Sequence, residues 1–238
     1  MGMPSTIEVV DKNVKESDIE KVFSYFNKID EKFSTYKNNS EISKINRNEI
    51  KKEKYSSEMK KILKLSEKTK QETNGYFDIN INGKLDPSGI VKGYAIYNGA
   101  KMLLKMGYKN FYVEIAGDIQ VFGQNIDGEK WKIGIENPFK KGEIIKVVNL
   151  SNNGIATSGN YIRGKHINNP KKNIAADEIM SLSVIGPNVY EADRFATAAF
   201  AMGIEGIKFI DNLLGFEGYM VTKEKKAIYT SGFEKYLN

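Results

Sequence analysis

The sequence contains no cysteine, one histidine, one tryptophan and five prolines. The absence of cysteine excludes disulfides, thiolate metal sites, a cysteine nucleophile and a lipid-modified cysteine. No apolar run approaches the roughly 20 residues that span a bilayer, and the opening "MGMPSTIEVV" lacks the signal-peptide pattern. A soluble, cytoplasmic protein is therefore expected, although an exported protein whose leader has been removed would have the same sequence.

Positive charge is in excess but is dispersed along the chain. Lysine and arginine number 36 against 30 acidic residues, which gives a formal net charge of +6. The lysines alternate with Asn, Ile and Glu and form no basic face interleaved with aromatic residues, as a nucleic-acid binder would need. We expect a solvated, lysine-rich surface that weakly attracts anionic ligands, and no nucleic-acid partner.

The order of the predicted helices and strands favours an α+β fold. The 238 residues can bury a sizeable core, as one large domain or two closely packed lobes. Apolar spacing predicts helices from Glu16 to Phe33, from a cap at Ser57 to Asn74, and from Gly89 to Met106. Alternating patterns predict strands in "PSTIEVVD", "NFYVEIAGDIQVFG", "KWKIGIENP", "EIIKVVNLSN", "GIATSG" and "EIMSLSVIGP", with short closing strands around "TKEKK". Regular βαβ alternation is missing, which argues against a doubly wound sheet.

The stretch "NVYEADRFATAAFAMG" begins a helix and places two oxygen donors on one of its faces. Asn188, with Glu191 three residues later, fits a capping box, which explains Glu191 without a function. The helix dipole also explains an acid at Asp193, but it does not explain Thr197 among small, apolar neighbours. Because Asp193 and Thr197 are four residues apart, they share a face, and their oxygens suit Mg²⁺ or Ca²⁺ better than Zn²⁺.

Two further stretches place charged residues beside turns. In "KLDPSGIVKGYAI" a turn ending at Gly89 leads into a helix with Lys92 in its first turn, which is a weak pattern for an anion site. In "IAGDIQVFG" Asp118 stands between apolar strand residues, where an unpaired carboxylate is costly. The residues alone leave Asp118 open between a turn acid and a ligand-binding group.

Two polar stretches contain the remaining candidates. "ATSGNYIRGKHINNP" holds Thr157, Ser158 and the only histidine, His166. Thr157 and Ser158 are turn residues by default, and a lone histidine is more often structural than catalytic. In "FSTYKNNSEISKIN", Tyr36 precedes a polar turn and a capped helical segment. Tyr36 can stack on a planar ring, although a hydrophobic anchor is the commoner role.

Taken in order, eight stretches resemble the motifs of the ApbE family, whose members are FAD:protein FMN transferases. They are "FSTYKNNSEISKIN", "GYFDINI", "LDPSGIVKGYAI", "EIAGDIQVFG", "WKIGIENP", "ATSGNYIR", "HINNP" and "SVIGPNVYEADRFATAAFAMG". The resemblance implies a single domain over residues 1–238, with mixed, largely antiparallel sheets, packed helices and an FAD cleft between lobes, related to the T-fold. It also implies an enzyme that uses Mg²⁺ and FAD, attaches FMN through a phosphoester to Thr or Ser of a target flavoprotein, and releases AMP.

The same resemblance implies roles for individual residues. The matching positions are Asp193, Thr197 and a backbone carbonyl near Gly89 for the metal, Lys92 for the phosphates, His166 for the general base, and Tyr36, Asp118, Thr157 and Ser158 for the FAD lining. Asp193 and His166 would be the catalytic pair, and Tyr36 would stack on a ring of the dinucleotide.

The sequence departs from the family's pattern at several positions. The turn before the third helix reads Asp-Pro-Ser-Gly where the family often has Asp-Leu-Gly-Gly, so the carbonyl ligand is not fixed by the pattern. Asn160 and Asn169 stand where Asp is common, which removes two negative charges near the metal. The family's usual lipoprotein leader is also absent.

Two other functions stay open at this point. Water could replace the acceptor hydroxyl, which would make the protein an FAD pyrophosphatase that yields FMN and AMP. The chain could instead be a non-catalytic FAD-binding protein in which Asp193 is only a helix-start acid. Mg²⁺-independent FAD binding without turnover would distinguish the second from both enzymes.

Overall fold

The computed structural model of the protein describes residues 3–160, 167–172 and 174–237. Its helices are α1 (Glu16–Phe33), α2 (Glu41–Asn46), α3 (Ser57–Glu72), α4 (Ser88–Lys105), α5 (Val189–Ala201) and α6 (Gly206–Asp211), with 3₁₀ segments at Lys52–Lys54, Gly203–Glu205 and Phe233–Tyr236. Its strands are β1 (Ser5–Val9), β2 (Asn80–Ile81), β3 (Lys84–Leu85), β4 (Phe111–Ile115), β5 (Asp118–Phe122), β6 (Trp131–Glu136), β7 (Ile144–Leu150), β8 (Gly154–Gly159), β9 (Asn168–Asn169), β10 (Ile174–Ala175), β11 (Ile179–Gly186), β12 (Glu217–Thr222) and β13 (Ala227–Tyr229). Across these ranges, no helix is long and apolar enough to cross a membrane.

A seven-stranded sheet in the order β1-β4-β5-β8-β11-β12-β13 organises the molecule. Three two-stranded sheets accompany it, formed by β2 with β3, β6 with β7, and β9 with β10. Among the described residues, every strand pairing is antiparallel. The predicted α+β class with largely antiparallel sheets is therefore confirmed.

Helices cover one face of the large sheet and the β6–β7 hairpin covers the other. On the helical face, Val113 packs in one cluster with Phe26 of α1, and Leu182 packs in a second with Phe195 of α5. Other residues of the large sheet point to its opposite face, because side chains alternate along each strand. There they pack against the inner face of the hairpin, in a third cluster formed by Ile119, Val121, Ile155, Ile185 and Tyr219 with Trp131, Ile133, Ile135, Val148 and Leu150.

The first turn of α5 is fixed by hydrogen bonds at its start. The Asn188 side chain accepts the Glu191 N–H at 3.0 Å, which confirms the predicted cap. The Glu191 carboxylate, however, does not complete a capping box, because it accepts from the guanidinium of Arg194 instead. Gln120 of β5 accepts the Val189 N–H at 2.9 Å and ties the helix start to the large sheet.

Several local predictions were wrong, mostly at turns. The strand predicted over 110–123 is a hairpin, since Ala116 and Gly117 have φ of 50° and 86° and reverse the chain between β4 and β5. Strands β7 and β8 follow one another in the chain but pair with different strands, because β7 pairs with β6 while β8 pairs with β5 and β11. Ser56, rather than Ser57, caps α3 by accepting the Met59 N–H. The predicted helices over 16–33 and 89–106 are confirmed to within one residue.

Candidate functional site

A cavity of about 940 Å³ opens beside the helix pair α4 and α5. Its wall is built from the β2–β3 hairpin, the start of α4, the turn between β4 and β5, strand β6, the end of β8 and one face of α5. This volume lies near the upper end of the range for small-molecule and cofactor sites, roughly 300–1,000 Å³. The cavity lining brings together six of the residues selected from the sequence, namely Gly89, Lys92, Thr157, Ser158, Asp193 and Thr197.

Oxygen atoms from three elements meet at one end of this cavity. Thr197 Oγ1 on α5 donates to the backbone carbonyl oxygen of Gly89 at 3.4 Å and lies 3.5 Å from Ser158 Oγ on β8. A Cβ at Gly89 would lie 2.9 Å from the Thr197 methyl carbon Cγ2, so glycine permits this approach of α4 to α5. Ser158 is a strand residue that reaches α5, and the default interpretation of Thr157 and Ser158 as turn residues is wrong.

Asp193 lies one turn before Thr197 and is held by the backbone of α4. Its Oδ2 accepts the N–H of Gly93 at 2.7 Å. In a regular α-helix that N–H pairs with the carbonyl of Gly89. The bond to Asp193 competes with this pairing, and a carbonyl oxygen has two lone pairs. The Gly89 oxygen therefore has acceptor capacity for Thr197 or for a cation.

Burial makes the charged form of Asp193 costly. Asp193 is 4% exposed, and burial, reinforced by the nearby Asp118 carboxylate, raises the pKa of Asp193 well above its usual range. The Lys92 ammonium and the Gly93 N–H act in the opposite direction, but they do not compensate. An added cation would favour the carboxylate, because opposite charges stabilise one another strongly where water is excluded.

Lys92 and Asp118, which the sequence presents as separate features, form a buried ion pair. Lys92 Nζ lies 2.8 Å from Asp118 Oδ2, and the two side chains are 10% and 1% exposed. Asp118 Oδ1 also accepts the Thr157 N–H at 3.1 Å. Asp118 thus lies behind the cavity wall at the start of β5, where it holds both Lys92 and the β8 backbone.

Comparison with known proteins identifies the family. A model of the ApbE family matches residues 1–83 and 80–220. The chain belongs to the ApbE family. Among solved structures, the flavin transferase ApbE from Vibrio cholerae superposes with a TM-score of 0.87 at 21% identity, over 100% of this chain and 96% of that chain. The ApbE protein from Thermotoga maritima gives a TM-score of 0.89 at 22% identity, with the same coverage. These likenesses show that the chain has the ApbE fold.

Sequence relatives of this ApbE-family chain carry an enzyme name. A FAD:protein FMN transferase of Haemophilus influenzae is 30% identical over 165 residues, which are 63% of this chain and 48% of that protein. The FAD:protein FMN transferase of Escherichia coli strain K12 is 30% identical over 156 residues, which are 61% of this chain and 44% of that protein. The matched region therefore spans about half the length of these curated relatives.

The oxygen cluster fits a hard divalent cation of the kind that the family resemblance implies. Within the described ranges, no group of three or more His, Cys, Asp and Glu side chains could hold a metal ion. A cation here would depend on one carboxylate, from Asp193, with the hydroxyl of Thr197 and the carbonyl of Gly89. Such an all-oxygen set suits Mg²⁺, which usually binds one or two carboxylates and completes its shell with water and substrate phosphates.

Besides Asp118, two of the selected residues are not among the described residues that line the cavity. Tyr36 lies between α1 and α2, is 90% exposed and is outside the cavity lining, so its interpretation as a hydrophobic anchor is wrong. His166 lies outside the described residues. The roles that the family resemblance gives to these two side chains, in ring stacking and as general base, stay predictions.

The sequence interpretation missed an aromatic and acidic wall at another side of the cavity. The Tyr112 ring stacks on Trp131, with centroids 5.9 Å apart and planes 25° apart, and its hydroxyl donates to Glu114. Glu8 of β1 is directly opposite Tyr112 and also lines the cavity. Period-two alternation places Tyr112 and Glu114 on one face of β4, but only the strand register shows that Glu8 joins them.

Proposed function

We propose that this chain is a Mg²⁺-dependent FAD:protein FMN transferase, which joins FMN through a phosphoester to a Thr or Ser of an acceptor flavoprotein and releases AMP. Family membership and the names of the sequence relatives support this activity. The observation that carries it is the meeting of Asp193, Thr197, Gly89 and Ser158 beside Lys92 in a cavity large enough for a sizeable ligand.

The proposed transfer exchanges one phosphorus–oxygen bond for another. The acceptor hydroxyl oxygen bonds to the phosphorus on the FMN side of FAD, while the bond from that phosphorus to the bridging oxygen breaks. AMP leaves with the bridging oxygen, and the hydroxyl proton passes to a base. By the family resemblance that base is His166. Positioning and charge stabilisation dominate such reactions, so few groups need to react covalently.

The residues of this chain supply positions and charges suited to that chemistry. Asp193, Thr197 and the Gly89 carbonyl would hold Mg²⁺, which neutralises charge on phosphate oxygens when it is bound. The Lys92 ammonium lies on the cavity wall and is oriented by Asp118, so it would add positive charge beside the phosphates without moving to them. The backbone N–H of Gly93 keeps the Asp193 carboxylate directed toward α4.

The test follows the fate of FAD and of an acceptor together. The protein is incubated with FAD and Mg²⁺, with and without the unflavinylated domain of a flavoprotein that carries FMN on threonine, and AMP, FMN and acceptor mass are measured. An acceptor mass increased by one FMN, together with AMP, is expected, and Asp193→Ala should abolish both. Asp127→Ala is the matched control, because Asp127 is an exposed acid in the turn before β6.

Other outcomes would assign a different function. FMN and AMP released with no change in acceptor mass would replace the transferase with an FAD pyrophosphatase. FAD that binds without Mg²⁺ and stays intact in every sample would leave only an FAD-binding protein. Activity in Asp193→Ala equal to that of the parent chain would remove Asp193 from the site.

A further inference from the structure

One edge of strand β6 faces the cavity. Within the described part of the chain, β6 pairs only with β7, so its other edge has no strand partner. Consecutive residues of β6 line the cavity, including Trp131 and Ile133 from one face of the hairpin and Lys132 and Gly134 from the other. Because successive side chains point to opposite faces of a strand, a cavity that contacts both sets meets the strand at its edge.

The hydrogen bonds of the hairpin show which backbone groups point to this edge. The N–H of Asn137, directly after β6, donates to the carbonyl of Glu143 on the β7 side at 2.7 Å. Backbone N–H and C=O directions alternate along an antiparallel strand, and this alternation continues through β6 because the register shift between Ile135 and Glu136 leaves its extra residue, Ile145, on β7. The N–H and C=O groups of Lys132, Gly134 and Glu136 therefore point away from β7, and all three residues line the cavity.

We propose that the acceptor polypeptide binds in extended form along this edge of β6, as a third strand of the β6–β7 sheet, and so presents its hydroxyl residue to the oxygen cluster. This inference rests on the proposed transferase function. The three outward-pointing residues span four residue steps, about 13 Å, which is enough for the backbone pairing seen when a peptide adds to a sheet edge. Gly134, in the middle, has no side chain to hold a partner strand away.

The charges near this edge favour a polypeptide over the phosphates of FAD. Glu8, Glu114 and Glu136 line this side of the cavity, whereas the Lys132 ammonium is engaged with Glu129 at 2.7 Å. A pyrophosphate would be repelled by these three carboxylates. A peptide backbone is neutral, and a basic side chain on the acceptor would be complementary to the three carboxylates.

Lys132→Pro tests the edge, with Lys132→Ala as its matched control. Both variants lose the exposed ammonium, but only proline removes the outward N–H, and proline is tolerated where the N–H of an edge strand faces away from its partner. The probe is the unflavinylated acceptor domain. We expect kcat/KM for this acceptor to be about tenfold lower in Lys132→Pro than in Lys132→Ala, as expected for the loss of a backbone hydrogen bond with added steric hindrance. The Kd for FAD should be the same in the two variants.

Hydrogen exchange provides a second measurement, which is made on the parent chain and does not depend on whether a variant folds. In the parent chain, the amides of Lys132, Gly134 and Glu136 should exchange quickly with FAD alone and slow when the acceptor domain is added. Those of Ile133 and Ile135 are bonded to β7 and should be slow in both states. Unchanged exchange on acceptor addition, protection by FAD alone, or equal acceptor kcat/KM in the two variants would each overturn the inference.

The same experiments separate this inference from the proposed function. A parent chain that leaves the acceptor mass unchanged refutes the transferase, and the docking inference fails with it. A parent chain that flavinylates the acceptor, with β6 amides that the acceptor does not protect, retains the transferase and refutes only docking at β6.

Discussion

The substitution Gly93→Ala is expected to displace the Asp193 side chain and to leave distant parts of the fold largely unchanged. A Cβ at position 93 would lie 2.7 Å from Asp193 Cβ and 2.7 Å from the carbonyl oxygen of Val189. Because one of these is a backbone atom in the first turn of α5, the overlap cannot be relieved by a side-chain rotation alone. Overpacking costs typically 1–3 kcal/mol, and we take about 3 kcal/mol here. Alanine recovers about 1 kcal/mol of helix propensity, which leaves a loss of about 2 kcal/mol.

This loss predicts a fall in the melting temperature of roughly 4–8 °C for a chain of this size, measured by circular dichroism. A ligand that binds only the folded state raises stability by about 2.7 kcal/mol at a hundred times its Kd. The Mg²⁺-dependent increase in melting temperature should therefore be smaller in Gly93→Ala than in the parent chain, because the Asp193 carboxylate is displaced.

Gly99→Ala is the matched control on the same helix. Its Cβ would lie 2.6 Å from Phe26 Cε1 and 3.0 Å from Val22 Cγ1, which belong to α1 and do not line the cavity. Gly99→Ala should also lower the melting temperature, yet it should preserve the Mg²⁺-dependent increase. If Gly93→Ala has the same melting temperature as the parent chain, or if Mg²⁺ raises the melting temperature equally in the two variants, the proposed positioning of Asp193 by Gly93 is incorrect.

Three further changes test neighbouring contacts. Gly89→Ala should destabilise the fold by placing a Cβ 2.9 Å from the Thr197 methyl carbon. Adding Thr197→Ser should restore stability, because it removes that methyl. If the two changes have additive effects on thermal unfolding in a double-mutant cycle, this reasoning is wrong. Asp118→Asn should cost about 3 kcal/mol or more in denaturant unfolding, because it leaves the Lys92 ammonium buried without its partner, and a second change, Lys92→Met, should recover part of that loss. Asn188→Ala should cost about 1 kcal/mol by removing the α5 cap, whereas Asn188→Ser should cost less; equal urea midpoints for the two variants would refute the capping role.

Local patterns predicted the elements of the site better than they predicted the contacts between them. The four-residue spacing of Asp193 and Thr197 correctly placed both side chains on one cavity-facing side of a helix, because helical periodicity is a local property. The Lys92–Asp118 ion pair joins residues from α4 and β5, and no spacing in the sequence indicates it. Its only local signal was the cost of an unpaired carboxylate at Asp118, a residue that the sequence left open between a turn acid and a ligand-binding group.

The turn at Ala116 shows why strand boundaries were missed. The dipeptides Gly-Gly, Asn-Gly and Asp-Gly indicate two-residue hairpin turns, because glycine and asparagine readily adopt positive φ. Ala116 has φ of 50°, a conformation that alanine rarely adopts, so the sequence signals a continuous strand there. The unpaired edge of β6 could not be predicted from the sequence either, since it depends on β7 being the only strand that pairs with β6 within the described residues. The assignment of residues 1–238 to one domain stays a prediction.

The oxygen cluster depends on α4 as much as on α5. Gly89 and Gly93 are four residues apart on α4, as Asp193 and Thr197 are on α5, and Gly89 opposes Thr197 while Gly93 opposes Asp193. The two helices are therefore antiparallel, and the same kind of close contact occurs twice, one helical turn apart. Since both pairs share this contact, sliding α5 along α4 would separate Asp193 Oδ2 from the Gly93 N–H and Thr197 Oγ1 from the Gly89 carbonyl together. Close packing at these two glycines thus determines where the oxygen atoms of Asp193 and Thr197 lie.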